Sequence, residues 1–151
     1  MIALIQRVAS ASVEVEGACV GSITRGLLVF LGVAAGDDRV QMRRLADRVA
    51  RYRCFPDGSG QKPMDRSLLD LGLGALVVSQ FTLCASTRKG LRPGFDKAAE
   101  PGLARELYEG FVRELQELGV APVQTGVFQA HMEVSLVNDG PVTFWLESPR
   151  S

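Results

Sequence analysis

The chain has 151 residues, a size typical of one domain that buries roughly two-thirds of its unfolded surface around a single core. Its 46% hydrophobic and 23% charged residues are close to globular averages, which excludes a disordered chain or a fibrous repeat. The 17 basic and 17 acidic side chains balance, which excludes a globally basic nucleic-acid binder and leaves only local basic patches for such a role.

The chain offers few side chains for metal binding or hydrolase chemistry. Its three cysteines are widely spaced and form no Cys-x-x-Cys pair, so we expect neither a disulfide framework nor a thiolate metal site. The single histidine, His131, cannot hold zinc alone, and a lone histidine is more often a satisfied or surface residue than a catalyst. We therefore predict no metal and no cofactor.

No segment of the sequence predicts association with a membrane. The longest stretch without a polar side chain, residues 26–36, is about half as long as a bilayer-spanning helix. The N-terminal residues place the first positive charge after the apolar run, which is not the pattern of a signal peptide. We expect a cytoplasmic protein.

The first third of the sequence predicts strands. Apolar residues from Ile2 lead into residues 12–16, where apolar and polar side chains alternate as on a half-buried strand. Glu16 and Gly17 suit a hairpin turn before a strand at residues 18–23. Residues 27–33 are continuously apolar, which predicts a central strand covered on both faces.

Two helices are predicted from apolar spacing. Asp37 or Asp38 can cap the first, whose apolar residues recur near one and two turns: Val40, Leu45, Val49, Tyr52. Pro101 suits the first turn of the second, Gly119 ends it, and its apolar residues recur every three to four positions: Leu103, Leu107, Phe111, Leu115, Leu118.

Residues 75–83 predict a strand between the two helices. On a strand, Gln80 and Thr82 would share one face, opposite Ser79 and Phe81. Thr82 could then act as a nucleophile and Gln80 could hold a carbonyl oxygen, but no histidine is adjacent to act as a base. Satisfied polar residues at a sheet edge explain the pattern equally well.

The C-terminal residues predict strands at 123–128, 132–137 and 142–147, the last two joined by a turn at 138–141. The element order implies a single α/β or α+β domain, residues 1–151, with a mixed sheet and two packed helices.

The turn at residues 138–141 contains Gly140 and Pro141. By base rate their peptide bond is trans, whereas a cis bond would present two carbonyls side by side, suited to clamping an ammonium group.

Charge is segregated along the chain. Residues 39–53 hold six arginines and one aspartate, and residues 84–97 hold Arg88, Lys89, Arg92 and Lys97 with one aspartate. Residues 100–117 are acidic by contrast, with five glutamates and two arginines. The basic segments are either solvated surfaces or contacts for phosphates, and the sequence leaves both readings open.

Five segments in the same order resemble the D-aminoacyl-tRNA deacylase (D-tyrosyl-tRNA deacylase) family. They are Gln6-Arg7-Val8, Ser79-Gln80-Phe81-Thr82-Leu83, Gly90-Leu91-Arg92-Pro93, Thr125-Gly126-Val127-Phe128 and residues 135–145, which contain Asn138-Asp139-Gly140-Pro141. The resemblance implies a cytosolic homodimer whose mixed sheet curves toward a half-barrel. It further implies an enzyme that hydrolyses the ester between a D-amino acid, or mischarged glycine, and the 3′ end of tRNA.

The resemblance also assigns roles to residues. It implies that Gly140 and Pro141 form a cis unit inserted by one subunit into the pocket of the other, and that Arg7 holds this unit. The pocket would be lined by residues 79–82, with Phe128 offering its backbone carbonyl to the substrate ammonium and Ala130 and Met132 as walls.

The implied selection works by exclusion. An L side chain would strike the rigid unit, whereas D side chains and glycine would be admitted. The ribose 2′-hydroxyl would assist the attack on the ester, and Thr82 as the nucleophile is the alternative.

Departures from the family pattern at Pro63, Asp65 and Gly94 could alter the rim of the site. Two other functions stay open. One is a tRNA-binding module without catalysis, and the other is an esterase or amidase acting on free D-amino-acid derivatives.

Overall fold

A computed structural model describes residues 1–149, which form one mixed sheet with helices packed on it. The strands are β1 (Ile2–Val15), β2 (Ala18–Ile23), β3 (Gly26–Gly32), β4 (Gly74–Ser79), β5 (Val123–Thr125) and β6 (Glu133–Glu147). The helices are α1 (Arg39–Arg51), α2 (Leu68–Leu71) and α3 (Pro101–Glu117), and Phe81–Cys84 forms a 3-10 turn.

Strand β1 organises the sheet because three strands pair with it. Both β2 and β3 pair with it antiparallel, β2 toward its C-terminal end and β3 toward its N-terminal end, and β6 pairs antiparallel along its whole length. The order then continues in parallel from β3 to β4 and β5. Strand β2 also approaches β5 so closely that a Cβ at Gly21 would overlap the Thr125 carbonyl. The sheet therefore curves into a nearly closed barrel, and the predicted mixed α/β class is confirmed.

The core has two parts, one on each face of the central strand β3. Leu27, Val29 and Leu31 face the helices, whereas Leu28 packs in a second cluster on the other side of the sheet. All four side chains are at most 2% exposed. The prediction of a strand covered on both faces is confirmed for these residues.

Capping fixes where α1 begins. Asp38 is its N-cap, because the Gln41 backbone N–H donates to Asp38 Oδ1 over 2.9 Å and the Asp38 N–H donates to Gln41 Oε1 over 2.7 Å. Asp37 instead accepts from the Met1 α-amino group over 2.7 Å. The prediction that Val40 lies on the apolar face of α1 is wrong, since its side chain is exposed.

The second predicted helix is confirmed as α3, with Pro101 in its first turn and Gly119, at φ 102°, just beyond its end. The short helix α2 was not predicted. Its four residues begin after Ser67, whose hydroxyl accepts from the Asp70 N–H over 3.2 Å. A helix of one turn is too short to show an apolar period.

Two strand predictions extend too far. The strand at 75–83 ends at Ser79, and the following residues turn into the 3-10 turn, which the Ala85 N–H closes on the Thr82 carbonyl. The strand at 123–128 ends at Thr125. In both places residues typical of strands continue beyond the last residue that has a strand partner.

The predicted hairpin at 138–141 is also wrong. The flanking segments do not pair with each other, because both belong to β6 and both pair with β1. Val8 lies opposite Asn138 and Gln6 lies opposite Thr143, so residues 139–142 bulge out opposite a single residue, Arg7.

No helix within residues 1–149 has both the length and the apolar character needed to cross a membrane.

Candidate functional site

A cavity of about 770 Å³ opens beside the ends of β3 and β4. Its walls come from Leu31 and Val33 at the end of β3, from residues 98–104 leading into α3, and from residues 128–134 leading into β6. Most of these residues are apolar, with a few polar groups, as in ligand sites generally.

The cavity brings together most of the residues that the family resemblance assigns to a pocket. Six of them line it: Ser79, Gln80, Phe81, Phe128, Ala130, Met132. Thr82 is not among the lining residues described for this chain, and neither are Arg7, Gly140 or Pro141. The candidates outside the cavity wall lie in three places, since Thr82 is in the 3-10 turn, Arg7 is on β1, and Gly140 and Pro141 are on the bulge of β6.

The 3-10 turn decides how Gln80 and Thr82 are arranged. Gln80 is held by its backbone N–H, which donates to the Leu31 carbonyl over 2.8 Å. Its side-chain amide donates to the Thr82 hydroxyl. The two side chains thus touch, although not as neighbours on one strand face, and Thr82 itself is exposed. The prediction that Gln80 and Thr82 share a strand face is wrong because the strand has already ended.

A left-handed residue shapes the opposite wall. Gln129 has φ 65°, and the Ala130 N–H closes the turn on the Val127 carbonyl over 3.2 Å. A non-glycine residue in this region carries a conformational cost, and such residues concentrate at functional sites. The turn sets the backbone directions of Phe128 and Ala130, which flank Gln129 in the cavity wall.

The aromatic ring of Phe128 is fixed from two sides. It lies 5.8 Å from the Tyr108 ring, centroid to centroid, and the Arg105 guanidinium lies 5.6 Å from its centroid. With the ring held, the Phe128 backbone is a fixed part of the wall.

Tyr108, which lines the cavity, has a buried hydroxyl. Its hydroxyl donates to the Val77 carbonyl over 2.9 Å. Burial raises the pKa of Tyr108 to about 12, against a smaller opposing effect of Thr125. The phenol is therefore protonated at neutral pH and cannot serve there as a general base.

Cys54 is equally unsuited to nucleophilic chemistry. Burial raises the pKa of its thiol to about 11, although the positive charge of Arg7 acts in the opposite direction. The thiolate fraction at neutral pH is thus very small. Within residues 1–149, no three His, Cys, Asp or Glu side chains gather in a way that could hold a metal ion.

The bulge of β6, residues 139–142, is braced from its base. Arg7 Nε donates to the Asp139 carbonyl over 2.9 Å and lies 3.1 Å from Asp139 Oδ2, while Arg7 Nη1 donates to the Cys54 carbonyl over 2.8 Å. Asn138 Nδ2 donates to the Arg7 carbonyl over 3.0 Å and to the Val142 carbonyl over 3.4 Å. Gly140 and Pro141, joined by a cis peptide bond, are exposed at the tip.

Several cavity residues carry no signal in the sequence that marks them as part of a site: Ala98, Ala99, Ala104, Tyr108, Gln129. In the sequence these residues resemble those at any helix or loop position. A small side chain, a tyrosine in a helix or a glutamine in a loop does not by itself indicate a site. His131, which the sequence did not favour as a catalyst, also lines the cavity.

Residues 4–147 match the family described as "D-Tyr-tRNA(Tyr) deacylase". A D-aminoacyl-tRNA deacylase of Thermomicrobium roseum is 57% identical over 148 residues, which cover 98% of this chain and 94% of that protein. One of Halorhodospira halophila is 54% identical over 149 residues, covering 99% and 96%. A solved structure described as "c-Myc DNA Unwinding Element Binding Protein" has 38% identity and a TM-score of 0.93, covering 99% of this chain and 100% of that chain.

The buried hydroxyl of Tyr108 predicts a specific pH dependence of stability. An unfolded tyrosine ionises near pH 10, whereas the folded one resists until about pH 12, so unfolding is increasingly favoured above pH 10. By pH 11 this costs the folded state about 1 kcal/mol. Replacing Tyr108→Phe should lower stability near neutral pH by about 1 kcal/mol because the hydrogen bond to Val77 is removed, and should remove this part of the alkaline decline.

Urea unfolding of both proteins from pH 7 to pH 11 measures the effect. The difference in unfolding free energy should shrink as the pH rises through 10 to 11. A difference that stays constant with pH would contradict the assignment of a raised pKa to Tyr108.

Proposed function

We propose, because the chain belongs to the D-Tyr-tRNA(Tyr) deacylase family, that it hydrolyses the ester of D-aminoacyl-tRNA to free tRNA and a D-amino acid. The observation that carries the proposal is the family match itself, since residues 4–147 include every residue that lines the cavity. The aminoacyl group at the tRNA 3′ end would occupy this cavity.

Catalysis in this cavity would rest on positioning. Tyr108 in the cavity wall stays protonated at neutral pH, and Gln80 is a polar side chain suited to hold the ester carbonyl. We assign the assistance in the attack to the 2′-hydroxyl of the terminal ribose. The protein would then orient the ester and stabilise the charge that develops on its oxygen.

Chiral rejection is assigned to the bulge of β6. Its tip, Gly140 and Pro141, is exposed, and bonds from Arg7 and Asn138 hold the base of the bulge. A backbone held in this way can move little, so an L side chain that points at the tip would clash with it. A D side chain would point elsewhere, and glycine has no side chain to clash, so mischarged glycyl-tRNA would also be hydrolysed.

The tip would act on the cavity of a second copy of the chain. In its own chain, neither Gly140 nor Pro141 is among the residues described as lining the cavity. Strand β6 also exposes two large apolar side chains, Val137 at 57% and Trp145 at 49%, which a partner could cover. A homodimer would supply both the cover and a cavity for each tip.

The proposed activity predicts a strong preference between enantiomers. Incubation with D-tyrosyl-tRNA should release tyrosine rapidly, whereas L-tyrosyl-tRNA should be hydrolysed no faster than in the uncatalysed control. Glycyl-tRNA should be hydrolysed, and D-tyrosine methyl ester should not, because it lacks the ribose hydroxyl. Equal rates on both enantiomers would contradict the chiral mechanism. Binding of tRNA without hydrolysis would indicate a binding module. Rapid hydrolysis of the methyl ester would indicate a general esterase.

The role of Thr82 is tested by replacing its hydroxyl with a methyl group of similar size, Thr82→Val. If the ribose hydroxyl assists the attack, kcat on D-tyrosyl-tRNA should fall by less than about tenfold, because only the hydrogen bond to Gln80 is removed. A nucleophile, in contrast, could not be removed without a decrease of roughly a thousandfold or more. Single-turnover rates, with thermal unfolding as the folding control, decide between the two.

A further inference from the structure

Residues 86–94 form an exposed loop that closes on itself. Ser86 and Gly94 exchange backbone hydrogen bonds, the Ser86 N–H donating over 2.7 Å and the Gly94 N–H over 3.0 Å. All residues from 87 to 93 are exposed, and three of them are basic: Arg88, Lys89, Arg92. The two hydrogen bonds thus hold the ends of the loop together, and its three basic side chains are exposed to solvent. We call residues 86–94 the basic loop.

The basic loop is anchored beside the cavity. The ring of Phe95, directly after the loop, lies 5.0 Å from the ring of Phe81, which lines the cavity. The chain that follows is tied to the end of β3, since the Ala35 N–H donates to the Lys97 carbonyl over 2.8 Å and the Ala99 N–H donates to the Val33 carbonyl over 3.0 Å. Ala98 and Ala99 are themselves part of the cavity wall. The loop thus borders the cavity.

The charges of the basic loop are not compensated within the described chain. Among residues 1–149, no carboxylate forms an ion pair with Arg88, Lys89 or Arg92. An uncompensated cluster of this kind beside a cavity attracts anionic ligands.

Helix α1, the other basic segment, differs in this respect. Arg39 lies 2.6 Å from Glu106 and Arg43 lies 3.6 Å from Glu114, both on α3, and Arg51 lies 2.7 Å from Asp47. The acidic residues of α3 therefore offset part of the positive charge of α1. Arg44 and Arg48, also on α1, form no ion pair with a carboxylate of residues 1–149, so part of the charge of the helix remains. The loop differs from α1 in that none of its three basic side chains is ion-paired and in that it borders the cavity.

We propose that the basic loop binds the backbone phosphates of the tRNA acceptor stem while the aminoacyl end occupies the cavity. This inference rests on the proposed function, which puts an RNA chain at the cavity mouth. Arginine can bind a phosphate through two parallel hydrogen bonds, and lysine adds a point charge, so three such side chains suit an irregular row of phosphates. Contacts of this kind select for RNA near the site without reading its sequence.

The test compares two triple variants of equal charge in the full-length protein. The loop variant carries Arg88→Gln, Lys89→Gln and Arg92→Gln, and the control variant carries the same three changes of charge on α1, Arg39→Gln, Arg43→Gln and Arg51→Gln. Each is assayed on D-tyrosyl-tRNA over a range of KCl concentrations and on 3′-D-tyrosyl-adenosine, which keeps the ester and the ribose hydroxyl but has no acceptor stem.

The loop variant should raise KM for D-tyrosyl-tRNA by about tenfold or more at roughly 100 mM KCl, a salt range in which phosphate contacts dominate affinity. It should also flatten the dependence of log KM on log salt by about one unit for each phosphate that the loop no longer neutralises. Its kcat/KM on D-tyrosyl-adenosine should equal that of the wild type, and the control variant should match the wild type on both substrates.

Three results would overturn the inference: an unchanged KM and salt dependence for the loop variant, an equal decrease of kcat/KM on both substrates, or an equal decrease in the control variant. The second would mean that the loop only shapes the cavity through Phe95. A wild-type protein that hydrolyses neither substrate would instead contradict the proposed function. In that case binding of uncharged tRNA, measured by fluorescence anisotropy with the same two variants, still decides whether the loop contacts phosphates.

Discussion

The structure depends on extra residues in one of two paired strands. Strand β6 pairs with β1 on both sides of Arg7, but β6 has four residues between Asn138 and Thr143 where β1 has one. These four residues therefore bulge out of the ladder. Arg7, the one residue opposite them, donates hydrogen bonds both to the base of the bulge and to the Cys54 carbonyl, just after α1. Sheet pairing thus creates the protruding tip, and side-chain bonds from Arg7 and Asn138 hold its base.

The cavity, unlike the tip, is largely apolar, and the one tyrosine in its wall, Tyr108, is kept protonated. Burial raises the pKa of the Tyr108 phenol to about 12, so this group is no general base at neutral pH. A site of this kind suits a reaction in which the substrate supplies part of the chemistry and the protein supplies geometry. This is the logic of the proposed deacylase, where the backbone tip selects and the ribose hydroxyl assists.

Local signals in the sequence predicted the elements that local forces determine. Three features are determined by residues close together in the sequence, and the sequence predicts all three: the continuous apolar residues of β3, the aspartate cap of α1 and the start of α3 at Pro101. The 3-10 turn after Ser79 and the bulge at Gly140 depend on partners far along the chain, Leu31 and Arg7. The local residues therefore indicated a strand that is too long in the first place and, from the turn residues 138–141, a hairpin in the second. The family resemblance named six of the residues that line the cavity, although Thr82 does not line it, whereas Ala104 and Tyr108 of α3 became recognisable only from the packing of the helix on the sheet.

The most direct test of a tip that acts across two protomers uses a mixed dimer. One protomer carries Asn138→Ala, which loosens the tip, and the other carries Ala104→Trp, which fills the cavity. The loosened homodimer should hydrolyse L-tyrosyl-tRNA well above the wild-type rate. In the purified mixed dimer the only open cavity faces an intact tip, so hydrolysis should again be confined to D-tyrosyl-tRNA. A mixed dimer that hydrolyses L-tyrosyl-tRNA as fast, per open cavity, as the loosened homodimer would contradict rejection by the partner's tip.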